Sequence, residues 1–302
     1  MLDQAQINFD SQSLWVLNIA LAFVMFGIAL SIDVGSFKPL FKKPKSVIIG
    51  VVSQFLILPA VTFLLVNALK PDPAVALGMF LVAACPGGNI SNFITHYARG
   101  NDALSVSLTA IATLLAVGMT PLNFSFWAGV YPPTNQMLKA VSIVPQDMVV
   151  LVALILGLPL ILGMSIRKKY PQKAIRVSLF FKKASLLFFI SLVFLALQKN
   201  FVAFQTYVMQ VFWLVLFHNM MAFFCGFSLG TFFRLPWKDV KTITIETGIQ
   251  NSGLGLLLIF TFFDGLGGMA ILAAFWGIWH LVSGLILGTV FNLMPHSKTS
   301  AL

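Results

Sequence analysis

Runs of about 20 mostly apolar residues recur along the whole of this 302-residue chain, the length an α-helix needs to cross the hydrocarbon core of a bilayer. Composition closes off a soluble alternative. Hydrophobic residues make up 59% and charged residues 9%, against roughly 25% charged in an ordinary soluble domain, too few polar groups to cover a water-soluble globule. Breaks at Pro, Gly and charge clusters divide the chain into nine expected spans, near 13–33, 46–68, 73–98, 103–125, 145–166, 184–204, 207–233, 241–263 and 269–293. The expected fold class is an all-α polytopic membrane protein, and membrane lipid is its surrounding partner. Cys85 and Cys225 lie inside apolar runs, so they read as small core residues and support neither a disulfide framework nor a zinc site. Residues 1–12 are acidic and lack the positive stretch of a cleaved secretory signal.

A net charge of +10 raises the question of a nucleic-acid partner, but in a membrane chain a basic excess is first compared with the positive-inside rule. Connections after odd-numbered spans carry Lys38, Lys42, Lys43 and Lys45, then Arg99, then seven basic residues between 167 and 183. Arg234, Lys238 and Lys241 come next, and finally Lys298, so sixteen of the nineteen basic residues fall on one side. Lys70, Lys139 and Lys199 fall on the other. The asymmetry accounts for the charge without nucleic acid. It predicts an inner or plasma membrane protein with its N-terminus outside and its C-terminal tail, 294–302, in the cytoplasm.

Two expected spans are not simple apolar rods. The third carries Cys85-Pro86-Gly87-Gly88-Asn89-Ile90-Ser91-Asn92 near its middle, and the eighth carries Glu246-Thr247-Gly248-Ile249-Gln250-Asn251-Ser252-Gly253. Pro followed by two Gly interrupts the helical hydrogen-bond ladder, and freed backbone groups at membrane depth must line a protein-enclosed cavity rather than face lipid. Two interrupted spans in corresponding positions of two halves point to a secondary transporter built from inverted repeats. The halves are 13–125, with four spans and the break in the third, and 145–293, with five spans and the break in the eighth.

Glu246 is the only glutamate in the chain and lies inside a span. A carboxylate at the bilayer centre costs about 2.5–3.5 kcal/mol on insertion scales, so it needs a partner or a function. No Lys or Arg lies in a span core, which leaves two readings: a bound cation, or a protonated, hydrogen-bonded structural acid. A hard cation such as Na⁺ takes oxygens from hydroxyls, amides, carboxylates and carbonyls. Ser91 and Asn92 on the broken third span, Ser105 and Thr109 at i, i+4 on the fourth, Gln54 in the second, and Gln250 and Asn251 after Glu246 form such an oxygen-rich set.

At these residues the sequence resembles the bile acid:sodium symporter family, including its bacterial members. The resemblance runs through Met25-Phe26-Gly27, Phe41-Lys42-Lys43-Pro44-Lys45 and Gly50-Val51-Val52-Ser53-Gln54-Phe55. It continues through Cys85-Pro86-Gly87-Gly88, Ser91-Asn92, Ala98-Arg99-Gly100-Asn101 and Ala103-Leu104-Ser105-Val106, and in the second half takes in His218-Asn219, the Glu246–Gly253 segment, Trp279-His280 and Ser283-Gly284. It implies panel and core domains, two crossing broken helices, and two Na⁺ sites beside the crossing. One site would use Ser91, Asn92, Ser105, Thr109 and the Glu246 carboxylate. The other would use Gln54, Gln250, Glu246 and carbonyls around Thr247 and Ile249. The resemblance further implies a nine-span member of the family. Asn89, where some relatives carry Thr, and Leu281, where some carry Asn, depart from the pattern near the expected substrate cavity, so they bear on the substrate rather than the ions.

The expected function is Na⁺ symport of an organic anion, a bile-acid-like steroid or a small carboxylate, by alternating access. The substrate's acidic group would meet the half-helix N-terminus after Gly87-Gly88, with Asn89, Asn251 and His280 supplying hydrogen bonds. His280 reads equally as a satisfied structural histidine, and His218-Asn219 as lining the boundary between core and panel. The competing transporter reading is a proton-coupled or uncoupled exporter of a small anion or oxyanion, with Glu246 titrating. No Asp-rich Mg²⁺ motif, nucleophile–base pair or metal-spaced His supports an intramembrane enzyme.

Overall fold

The computed structural model describes residues 11–32, 44–141, 145–181 and 201–294, with residues 35, 184 and 187 in addition. Helix dominates, and no strand occurs among the described residues. In chain order the helices are α1 (Ser11–Ala29), α2 (Lys45–Leu69), α3 (Pro73–Ala84), α4 (Ile90–Tyr97), α5 (Asp102–Val130) and α6 (Pro132–Val141). Helix α7 runs from Pro145–Val152 through a π-turn at Ala153–Gly157 into Leu158–Lys169. Residues 171–181 are also helical, and further along lie α8 (Phe201–Phe232), α9 (Trp237–Gly248), α10 (Ser252–Phe262) and α11 (Gly267–Leu293).

Among the described residues, five helical stretches are long and apolar enough to cross a membrane: Lys45–Leu69, Asp102–Val130, Gln146–Lys169, Val208–Phe232 and Gly267–Leu293. The protein is therefore a multi-pass membrane protein. The third and eighth expected spans each consist of two helices joined by unwound chain, α3 with α4 and α9 with α10. Cys85 leaves the helix with φ −68° and ψ 154°, the extended conformation favoured for a residue that precedes proline. Ile249 is likewise extended, and Asn251 restarts the chain as the N-cap of α10, its Oδ1 accepting from Leu254 N at 3.0 Å.

Some boundaries differ from expectation. The proposed division between the sixth and seventh spans, at 204–207, falls inside α8, because Val202 to Tyr207 contains neither Pro nor Gly to stop the helix. The rest of the sixth span, near 188–200, lies outside the described residues, as do the N-terminal segment as far as residue 10 and the tail beyond 294. The chain after Val130 also forms the short helix α6.

Helix α3 is apolar on every side, and every residue from Ala74 to Ala84 is buried, so it forms the centre of the bundle. The peripheral helices instead turn large apolar side chains outward, among them Leu64, Leu122 and Phe126, which suits a surface facing lipid. Helix α2 contains a π-turn at Ser53–Ile57 just before Pro59. Proline has no N–H for the carbonyl four residues back, and Asn123 Nδ2 of α5 donates to that Phe55 carbonyl at 3.0 Å. Helices α8 and α9 lie in close contact through Gly226 and Gly230: a Cβ on Gly226 would meet the backbone of Ile243 and Thr244 at 2.7 Å.

Candidate functional site

The two unwound segments meet. Gly88 N donates to Ile249 O at 2.7 Å and Asn251 N to Pro86 O at 2.8 Å, an antiparallel bridge pairing Gly87 with Gln250. Gly87 is required by space rather than by φ. A Cβ there would stand 2.6 Å from Gln54 Nε2 and 3.1 Å from Glu246 Oε2.

Glu246, 2% exposed on the last turn of α9, faces hydroxyls from two other helices. Ser91 Oγ of α4 donates to its Oε1 at 2.7 Å, Ser105 Oγ of α5 makes a short contact to the same oxygen, and Thr109 Oγ1 reaches Oε2 at 3.1 Å. Asn92 Oδ1 sits beside them, 2.9 Å from Ser105 Oγ and 3.4 Å from Thr109 Oγ1. The five residues expected to form the first ion site are thus together. The three hydroxyls have three protons for contacts to Oε1, Oε2 and Asn92 Oδ1, and Ser105 and Thr109 each face more than one of these acceptors. Lone pairs outnumber hydroxyl protons in this group of acceptors. No basic side chain pairs with Glu246 among the described residues. The donor set, with no cluster of three or more His, Cys, Asp or Glu among the described residues, suits a hard cation rather than a transition metal.

The second expected set gathers at the same break. Gln54 Nε2 donates to Glu246 O at 3.1 Å, and Gln250 Nε2 to Thr247 O at 2.7 Å. Thr247 Oγ1 lies 2.9 Å from Ser53 Oγ. The Ile249 carbonyl receives Gly88 N–H, while its side chain packs at Gly284 and Ile94. Gln250 Oε1 is buried with no hydrogen-bond partner among the described residues, an acceptor oxygen suited to a cation.

The three residues expected at the substrate are less alike. Asn89, at the N-cap position of α4, makes no capping bond; its Nδ2 has only the Met25 sulfur at 3.8 Å, and its Oδ1 is buried without a partner among the described residues. Asn251 is occupied as the α10 cap. His280 is buried, with Nδ1 bonded to Trp276 O of its own helix at 2.7 Å. No hydrogen bond joins these three to one another among the described residues.

Sequence reasoning did not foresee the contacts of two groups, Asn219, read there only as lining a boundary between core and panel, and Lys241. Asn219 Nδ2 of α8 donates to Gly248 O at 2.8 Å and Ser283 Oγ of α11 to Asn219 Oδ1 at 2.6 Å, which ties both helices to the break. Lys241, which the sequence places among flanking charges, is buried, with Nζ donating to Ala98 O at the end of α4 (3.0 Å) and to Phe291 O near the end of α11 (2.6 Å). Favourable placement of a cation at helix C-termini explains why a lysine is held there. A lysine five residues before the sole glutamate was the only available signal.

A model of the sodium bile acid symporter family matches residues 18–210. The uncharacterized sodium-dependent transporter YocS of Bacillus subtilis is 35% identical over 294 residues, covering 96% of this chain and 88% of that protein. The human ileal sodium/bile acid cotransporter is 30% identical over 241 residues, 79% of this chain and 67% of the relative. A probable sodium/metabolite cotransporter of rice chloroplasts is 30% identical over 292 residues, 93% of this chain and 68% of the relative. With matches of this extent to transporters, and with a buried carboxylate ringed by oxygen donors where two interrupted helices meet, the chain belongs to the sodium bile acid symporter family.

Proposed function

We propose that this protein is a Na⁺-coupled symporter that brings an organic anion, a bile-acid-like steroid or a small carboxylate, into the cell by alternating access. Two Na⁺ ions accompany each substrate. Ser91, Asn92, Ser105, Thr109 and Glu246 hold one; Gln54, Gln250, Glu246 and the carbonyls of Thr247 and Ile249 hold the other. Nine spans form two inverted repeats, 13–125 and 145–293, arranged as core and panel in an inner membrane with the N-terminus outside. The observation that carries this reading is Glu246, buried among hydroxyl and amide oxygens with no basic partner among the described residues. The relatives named as sodium cotransporters favour sodium over a proton-coupled or uncoupled exporter.

The substrate's acidic group meets the N-terminus of α4, which has no side-chain cap and whose helix dipole favours an anion, and Asn89 offers an amide with a weak partner. Asn251 and His280 complete the substrate set. Energy favours the two-ion stoichiometry: at about 2.3 kcal/mol per charge per 100 mV and about 1.4 kcal/mol per tenfold gradient, two Na⁺ supply roughly 7 kcal/mol. A monoanion moving inward returns about 2.3 kcal/mol, so about 5 kcal/mol remains for accumulation, whereas a single Na⁺ leaves only about 1.4 kcal/mol.

Uptake of labelled organic anions into proteoliposomes at fixed pH, with Na⁺ or K⁺ outside, tests the proposal. Na⁺-dependent uptake in the wild type and its loss in Glu246→Gln are expected. Equal uptake in both salts, or a Glu246→Gln protein that transports normally, overturns it.

A further inference from the structure

At the C-terminus of α9 the helix releases carbonyls that have no intrahelical donor, and at membrane depth each needs one. All six carbonyls from Ile245 to Gln250 have a donor. Ile245 O accepts from Ile249 N, Ile249 O from Gly88 N, and Gln250 O from Ser252 N. The three between are served by side-chain amides: Glu246 O by Gln54, Thr247 O by Gln250, and Gly248 O by Asn219. Gln54 and Gln250 already belong to the proposed second ion site. Asn219 makes the same kind of bond to the next carbonyl, from a helix that contributes nothing else to that site.

We infer that Asn219, held by Ser283, is a positioning residue for Na⁺ binding. This rests on the function proposed above and deepens it. The Gly248 carbonyl can only accept, so Asn219 must turn its Nδ2 toward it and its Oδ1 away. Ser283 Oγ then donates to that Oδ1 and fixes the amide plane. The surroundings leave the segment little freedom: a Cβ on Gly248 would strike the Phe223 ring of α8 at 2.0 Å, and a Cβ on Gly284 would strike Ile249 Cδ1 at 2.7 Å. Helices α8 and α11 therefore grip Gly248 and Ile249 from two sides, next to the carbonyls of Thr247 and Ile249 that face the ion. When Asn219 lets go, the Gly248 carbonyl must find another donor, and the nearest way is to rotate its peptide plane and disturb those two neighbours.

The test is a titration of thermal unfolding in detergent against Na⁺, at constant ionic strength made up with K⁺, on the full chain. The wild type, Asn219→Asp, Ser283→Ala, Ser283→Thr and Glu246→Gln are compared. Asn219→Asp replaces the donor with a second acceptor at the same shape, and the Na⁺ midpoint should rise about tenfold or more; Ser283→Ala should raise it about three- to tenfold, and Ser283→Thr should restore it. A merely structural role lowers the melting temperature in K⁺ and in Na⁺ alike and leaves the midpoint in place. That outcome, for an Asn219→Asp or a Ser283→Ala protein that still melts cooperatively in K⁺, overturns the inference while the symport reading stands. A wild type whose melting ignores Na⁺ overturns both.

Discussion

Gly87→Ala puts the convergence of the two breaks to its sharpest test. The added Cβ would lie 2.6 Å from Gln54 Nε2, 3.1 Å from Glu246 Oε2 and 3.3 Å from Glu246 O. The first distance is incompatible with a carbon–nitrogen contact, so the Gln54 amide must move and its 3.1 Å bond to Glu246 O must break. Leaving those buried groups unpaired costs about 1–3 kcal/mol, and crowding a packed interior costs about 1–3 kcal/mol more. Any part of this cost common to the ion-free and ion-bound states lowers melting in K⁺ and Na⁺ alike, while the part borne by the ion-bound state alone weakens binding: about 3 kcal/mol there, at about 1.4 kcal/mol per decade, lowers Na⁺ affinity about 100-fold. Linkage turns this into an observable: at a Na⁺ concentration about 100 times the wild-type dissociation constant, the wild type gains about 2.7 kcal/mol and the variant only about 0.4 kcal/mol. Melting of the purified protein in Na⁺ and in K⁺ measures both. Gly118→Ala is the control, since nothing lies within 4 Å of its added Cβ; it should keep the full Na⁺ response. A Gly87→Ala protein that melts normally in K⁺ and shows the wild-type response to Na⁺ would refute the reasoning.

Asn251→Ala removes the α10 cap, which costs about 0.5–2 kcal/mol of stability, and it should also raise the substrate KM while leaving the Na⁺ midpoint unchanged. A shifted Na⁺ midpoint with unaltered KM contradicts the substrate assignment. Lys241→Met keeps the bulk but strands the carbonyls of Ala98 and Phe291, so melting in K⁺ should fall by the equivalent of about 2–5 kcal/mol. Its Na⁺-induced gain should persist, because the lysine bonds to helix ends rather than to ion donors. A stable Lys241→Met protein that no longer responds to Na⁺ reverses that assignment.

The breaks were legible because their cause is local. Pro86 biases Cys85 away from a helical ψ, the paired Gly87 and Gly88 weaken the next turn, and a solitary Glu inside an apolar run advertises a cost that something must offset. Ser105 and Thr109 could be placed on one face by their spacing alone. Features that the sequence did not disclose depend on partners far along the chain. Asn219 meets Gly248 and Ser283 only because Gly226 and Gly230 let α8 close on α9, and no periodicity in either helix encodes that meeting. Lys241 reads as a flanking charge until the ends of α4 and α11 are seen to converge on it. The misplaced boundary at 204–207 has the opposite origin: hydropathy dips at Gln205 and Thr206, but two polar residues do not stop a helix.

The join between the two interrupted helices is made of peptide groups alone: Gly88 N with Ile249 O, and Asn251 N with Pro86 O. Apart from Gly87 and Gly88, where a Cβ would clash, these bonds do not depend on which side chains project from the seam. Residues that border it on the proposed substrate side, Asn89 foremost, can be exchanged for others of similar size without unpicking the junction beside which the proposed cation donors lie. A transporter so constructed can acquire a new cargo by a handful of replacements and keep its power source intact.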